Sequence, residues 1–465
     1  MTKSKLVLVF LVACFSSILI LPAINTSYTA HKANATLPLH SVTAFPGYGY
    51  TLDAVSLELA EQYFDELEHL FNKDGGDLWG EILSAPFVFV DIATRQAVSN
   101  TPDPQGILTR QGDLYVGLFP ENIFVGNTVV DLGGKRFAMA TWCTMEANKN
   151  NKTGRLRVMS HEVFHWWQPE LIGNIGRWNN SHIQQVDAWI SVLLEVNALA
   201  QAFNSDGDEQ YDAIIDALSI RAARRAQFPG SDVNENRLEL LEGLAVYTEL
   251  KLNFDTNTEI NYAVDSWRRF LRTTDSPENH FGYISGALYA LLLDKFSAEW
   301  KTKLSPGTDL SELLYKAVGK PGLRELNQID LDMYELADIT DAANRQAKSH
   351  TETVNAIREA FSGPTLSITS GFGSATLNVC NKTIQAPDMG EVFLGFVEFN
   401  GAFGQFSMRS EGYFLLTNEN HVVIHADGME INGNRATGRG WTLVLNEGFR
   451  FAGEEPDYSI VRVTG

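Results

Sequence analysis

Apolar residues recur every three or four positions over residues 52–73, "LDAVSLELAEQYFDELEHLFNK". That spacing gathers them on one face and predicts an amphipathic helix. The rhythm then shortens. "APFVFVDIA" (85–93), "GDLYVGLF" (112–119), "NTVVDL" (127–132) and "KRFAMATW" (135–142) are brief apolar runs of strand type. The turn-rich "NKNNKTG" (148–154) interrupts, and a helix carrying "SHEVFHWW" is expected to start near Leu156. Helical spacing then dominates from about 183 to 360, clearest in "VDAWISVLLEVNALAQAF", "YDAIIDALSIRAARRAQF", "NRLELLEGLAVYTELKL" and "GYISGALYALLLDKFSAEW". Near residue 362 the composition turns Gly-rich. Short alternating runs such as "EVFLGFVEF", "YFLLT", "HVVIHA" and "WTLVLN" follow and predict a separate all-β module, a small sandwich or barrel. The pattern therefore predicts an α+β protein: a small β region, a mostly helical body over 45–360, and an all-β region over 365–465.

Composition changes this picture at two places. The N-terminus pairs Lys3 and Lys5 with a stretch free of charge, "LVLVFLVACFSSILILPAI" (6–24). A basic start followed by an apolar run is an export signal or a retained membrane anchor, covering roughly 1–30. "LVAC" also resembles a lipid-attachment site centred on Cys14. Either way the chain is expected outside the cytoplasm: secreted, periplasmic or attached at the cell surface. The formal net charge of −21 argues against nucleic acid or an anionic lipid surface as a partner. Of the three cysteines only Cys143 and Cys380 lie beyond this segment, too few for a disulfide scaffold, and whether they pair is open.

The chemistry is concentrated at His161-Glu162-Val163-Phe164-His165. On a helix, residues i and i+4 share a face, so both imidazoles can reach one Zn²⁺. Glu162 stands about 100° round the helix, where it can take a proton from water without ligating the metal. By composition alone the pattern arises by chance in roughly one such chain per hundred. The context is what favours a site: Val158, Phe164, Trp166 and Trp167 make the helix apolar, and buried imidazoles need polar partners. Two His do not complete a zinc site. Glu242 in "LLEGLAVYTEL", with 76 residues between it and His165, and Glu195 in "LLEVNALAQAF", with 29 between, compete as third ligand, with Glu239 a weaker choice. Gly243 would let two helices approach closely beside Glu242, at a cost of about 1 kcal/mol relative to Ala. Asp187, Glu239 and Glu249 are candidates to orient the His ligands from behind. His280 is expected to be a satisfied surface residue.

In this order, "HEVFH", "EGLAVYTE" and "YISGALYALLLD" resemble the signatures of the gluzincin zinc metallopeptidases, over roughly residues 130–300. The resemblance extends to aminopeptidase N-like and glycyl aminopeptidase-like members and to a group of exported bacterial proteins. It implies a zincin-like catalytic domain holding one Zn²⁺ per chain, with His161, His165 and Glu242 as ligands and Glu162 as general base. It further implies Tyr283 as the donor to the oxyanion, with Ser285 where a Lys is usual and Leu241 where an Asn is common. The long spacing to Glu242 implies a helical insertion folding out between the ligands. The Gly-x-Met-Glu-Asn exopeptidase motif is absent, so aminopeptidase action does not follow.

The expected function is that of an exported zinc-dependent peptidase acting on a peptide or protein. Residues 133–142 are the expected edge strand for an extended substrate. The alternatives are a non-catalytic cell-surface binding protein that retains the fold, and a hydrolase of non-peptide amides. An intact Glu162 argues against the first, because structural zinc does not need that carboxylate.

Overall fold

Ser56 accepts the Leu59 N–H and starts helix α1 (Leu57–Asp74), and Gly75 ends it in the left-handed region at φ 62°. This computed structural model describes residues 55–463 except 93, 121–122, 275, 369–374, 381–382, 387, 395, 409–411 and 418–420. The N-terminal apolar stretch with Cys14, expected to be an export signal or anchor, and the side chain of Cys380 fall outside the described residues.

After α1 come β1 (Phe87–Val90), β2 (Gln96–Ser99), β3 (Thr109–Gln111), β4 (Leu114–Leu118), β5 (Thr128–Leu132) and β6 (Lys135–Thr141). They form one sheet in the order β3-β4-β2-β1-β6-β5. Only β1 and β6 run parallel, with Phe87 opposite Ala138; the other pairs are antiparallel. The strands β2 and β3 have too little apolar alternation to register in the sequence. The run at 133–142 is not the edge it was expected to be. Gly133 and Gly134, at φ 67° and 84°, turn the chain back after β5, and β6 is laid between β1 and β5. Its last five residues are buried, as befits an interior strand. The edge is β5.

Helix α2 (Trp142–Ala147) leads to α3 (Lys152–Leu171), which carries the HEVFH motif. It begins four residues before Leu156 because Asn151 caps it, accepting the Gly154 N–H. Trp166 and Trp167 donate to the backbone carbonyls of Arg136 and Ser84, each at 2.9 Å, and so pin α3 to the sheet side of the molecule.

The helical body continues with α4 (Val186–Asn204), α5 (Gly207–Gln227), α6 (Asp232–Leu238), a π-turn (Glu239–Gly243), α7 (Leu244–Asn253), α8 (Asn257–Leu271), α9 (Pro277–Phe296), α10 (Leu310–Ala317) and α11 (Leu336–Phe361). The helix α4 is long and apolar enough to cross a membrane by composition, but 72% of that stretch is buried inside the protein. Its Val192, Leu193 and Leu199 join Ile214 and Leu218 of α5 and Leu288 and Leu292 of α9 in one core. The chain between the His pair and Glu242 therefore does not fold out as an insertion. It supplies the centre of the domain.

Beyond Phe361, two sheets of seven and six strands share one core that includes Leu366, Phe399, Phe406, Phe414, Trp441 and Leu443. The strands are antiparallel apart from Thr365–Ile368 beside Asp457–Arg462. Two sheets packed on a common core make this a sandwich, not a closed barrel. The last turns of α11 seal it to the helices, with Val354 and Ile357 packed on Ile384, Val392 and Leu415.

An ionisable residue is buried near this junction. Glu278, in the first turn of α9, is 5% exposed, and its Oε2 has no hydrogen-bond partner among the described residues. Burial, reinforced by the Glu391 carboxylate of the β sandwich, pushes its pKa up to about 7. The folded protein thus holds a proton that the unfolded chain releases near pH 4.5. Stability contributed by this group falls as pH rises from about 4.5 to 7 and stays low above. The size of the effect is about 3 kcal/mol. Glu278→Gln is expected to raise the unfolding midpoint at pH 8 and leave it nearly unchanged at pH 4.5; an equal shift at both pH values in thermal melts would contradict the assignment.

Candidate metal centre

One turn of α3 separates His161 from His165, and their ring centroids lie 4.7 Å apart. Their Nε2 atoms approach to 3.1 Å. Glu242, delivered by the π-turn, places Oε2 3.3 Å from His161 Nε2 and 3.5 Å from His165 Nε2. His161 and Glu242 are buried at 2% and 0% exposure. The other nitrogen of each ring is engaged from behind. Glu249 Oε2 lies 3.3 Å from His161 Nδ1, and its Oε1 accepts from Arg157 at 2.6 and 3.1 Å. Gln168 Oε1 lies 3.0 Å from His165 Nδ1.

These partners decide where the protons sit. Carboxylate and amide oxygens can only accept, so both Nδ1 atoms donate and, in the neutral rings, both Nε2 atoms carry lone pairs. Three acceptors then point at one another in a buried space, an arrangement that needs a cation at its centre. Glu242 Oε1, also buried, has no hydrogen-bond partner among the described residues. Burial opposes charge on His161, but the carboxylates of Glu242 and Glu249 outweigh it and hold the pKa at about 10. Burial likewise opposes charge on Glu242, and the facing His165 and His161 hold it far below the usual carboxylate range. A proton is the least a cation can be here. Two imidazoles and one carboxylate on a common point suit a divalent metal with a coordination position left open.

Glu162 is fully buried beside His161 on α3. Tyr283 of α9 lays its ring parallel to His161 at 6.1 Å and 11°, and Trp267 stacks on Tyr283 at 5.3 Å. His280 is not the surface residue expected. It is buried, donating from Nδ1 to the Ser276 carbonyl at 2.7 Å, and burial lowers its pKa. Asp187 is solvent-exposed in the first turn of α4, where it serves the helix N-terminus.

Glu195 and Glu239 are drawn elsewhere. Arg221 donates to Glu195 at 2.7 Å and to Glu239 at 2.8 and 2.5 Å, and Arg224 holds the second oxygen of Glu195 at 2.5 Å. The Tyr289 hydroxyl reaches Glu195 at 2.8 Å, and the Ser285 hydroxyl reaches Glu239 at 2.6 Å. With both oxygens of Glu195 spent on guanidinium groups, this residue is not the one that meets the His pair. The same ion network ties α4, α5 and α9 to the start of the π-turn. Ser285 is part of that tie.

Sequence reasoning gave no role to Gln168 or to the Arg-rich α5, and it missed the π-turn. Gln168 does lie three residues past His165, on the same face of α3, and that spacing is a usable signal. Beside these groups, a cavity of about 190 Å³ runs between the β5 edge and α3, lined by Thr128, Val129, His165, Pro169, Ile175 and Leu241. No protein-family model, no curated protein and no solved structure matches this chain.

The π-turn rests directly on α9. A Cβ on Gly243 would stand 2.6 Å from the Gly282 carbonyl oxygen and 2.6 Å from the Gly286 Cα. In a free helix Gly→Ala stabilises by about 1 kcal/mol. Here both clashing atoms are backbone, so Gly243→Ala is expected to destabilise by about 1–3 kcal/mol in denaturant unfolding. A stabilised variant would show that the two backbones are not in contact.

Proposed function

We propose that the protein is an exported zinc metallopeptidase with a zincin-like catalytic domain of the gluzincin type. The observation that carries this reading is the convergence of His161 Nε2, His165 Nε2 and Glu242 Oε2, with the carboxylate of Glu162 on the same helix and outside that ligand set. His161, His165 and Glu242 hold one Zn²⁺ per chain. When bound, the zinc supplies Lewis-acid polarisation of the scissile carbonyl and makes water acidic near neutral pH.

The chain's own groups do the rest. Glu249 and Gln168 hold the two imidazoles in the tautomer that offers Nε2. Glu162 takes the proton of the attacking water and delivers it to the leaving amine. Tyr283, fixed by its stacking against His161, donates a hydrogen bond to the developing oxyanion. The open edge of β5 borders the cavity beside His165 and offers main-chain groups to an extended peptide. Substrate recognition through backbone groups suits peptides better than a non-peptide amide.

The test has two parts. Elemental analysis is expected to find about one zinc per chain in the wild type, none in Glu242→Ala, and a full complement in folded Glu195→Gln. Glu162→Gln is then expected to keep the zinc and lose about 10²–10⁴ of the rate on a peptide library. Zinc retained with no peptide cleavage by the wild type would favour the non-catalytic binding protein. A wild type that takes up no zinc would remove the proposal altogether.

A further inference from the structure

Gln168 is 3% exposed and works in two directions. Its Oε1 faces His165 Nδ1 at 3.0 Å. Its Nε2 donates to the carbonyl of Leu240 at 2.8 Å and to that of Leu241 at 3.0 Å. Leu240 and Leu241 are the two residues before Glu242 in the π-turn. A single side-chain amide therefore touches one ligand of the candidate centre directly and the backbone that delivers another.

The chemistry of this position is narrow. It needs an acceptor for an imidazole N–H and donors for two carbonyls at the end of one side chain, and among the side chains only an amide has both at neutral pH. A carboxylate could receive His165 but would face two carbonyl oxygens with its own charge. A lysine or arginine could serve the carbonyls but would oppose the imidazole N–H. Asparagine has the right group on a shorter stem. The amide's orientation is itself fixed by this division of labour: with its nitrogen committed to the carbonyls, its oxygen is left for His165.

The α3 helix and the π-turn are far apart along the chain, with 72 residues from Gln168 to Leu240, so nothing local holds them in register. We propose that Gln168 is a positioning residue that ties His165 to the Glu242 turn, so that a metal meets both ligands already oriented. This rests on the zinc-site reading above. Its consequence is a contribution to metal affinity that the ligands themselves do not account for. Loss of such an outer partner typically lowers metal affinity about 10–100-fold.

The experiment measures zinc affinity by chelator competition on the purified protein, together with the visible spectrum of the Co²⁺-substituted form, which reports ligand geometry. Circular dichroism and the metal-free unfolding midpoint establish that each variant is folded. Gln168→Met keeps length and removes both interactions; it is expected to bind zinc about 10–100-fold more weakly and to change the Co²⁺ spectrum. Gln168→Glu keeps the acceptor for His165 and replaces the donors, and it is expected to weaken binding as well, which keeps the proposal testable if the Met variant does not fold. Wild-type affinity in Gln168→Glu would mean that only the tautomer of His165 matters and would overturn the tie to Glu242. Affinities within twofold of wild type in both variants would overturn any positioning role. A wild-type chain that binds no zinc at all fails at the earlier step, and the two failures are told apart by that measurement alone.

Discussion

Two imidazole lone pairs and a carboxylate oxygen meet within 3.5 Å inside the protein, screened from water, and much of the surrounding structure serves to hold them there. Such a cluster is unstable without positive charge. It would relax if any one of its three contributors could swing away. None can easily do so: His161 is held by Glu249 and Arg157, His165 by Gln168, and Glu242 by a turn whose glycine lies against α9. The elements that look like scaffold are the means by which mutually repelling acceptors are kept together.

Rigidity comes from two sources of different range. Near the centre, backbone-to-backbone approach of the π-turn and α9 excludes even a methyl group at Gly243, and Gly282 and Gly286 make matching contacts with Leu238 and Glu239. Further out, Arg221 and Arg224 lie buried against Glu195, Glu235 and Glu239 and join three helices to that same turn. A buried ion network of this kind is weak evidence for net stability, because desolvation offsets most of the attraction. It is good evidence for register, since each carboxylate left without its arginine would be costly. The widened turn between α6 and α7 brings Glu242 to face the His pair while Glu239 faces Arg221, so adjacent turns serve two different partners. Local widening of this type is common where a helix must present a functional group.

Much of the candidate site is legible in the order of residues alone. The i, i+4 spacing of His161 and His165 needs only that the segment be helical, and its apolar neighbours make it so. Glu249 is one of three carboxylates, with Asp187 and Glu239, that the sequence offers without ranking as partners of the imidazoles, and it is the one that meets His161. The change of composition near 362 marks the start of the β sandwich within a few residues of Thr365. The sequence pattern fails wherever the answer depends on a distant neighbour. It places residues 133–142 at a sheet edge because alternation says nothing about which strand lies beside which. It makes the chain between the ligands an outgrowth because spacing along the chain carries no information about burial in the core. It gives His280 to the surface because a lone His has no periodicity of its own.

The division has a physical basis. Periodicity, caps and turn chemistry act between residues a few positions apart, so the amino-acid sequence by itself determined the helices, the β region that follows them, and the pairing of two imidazoles on one face of α3. Which carboxylate completes the set was decided by folding. Glu195 and Glu242 both sit in apolar helices after two leucines, and nothing local separates them. Only the tertiary structure surrounds Glu195 with Arg221, Arg224 and Tyr289 and leaves Glu242 opposite the His pair, because the nearest charges to a buried carboxylate are set by how helices pack and not by the residues beside it in the chain.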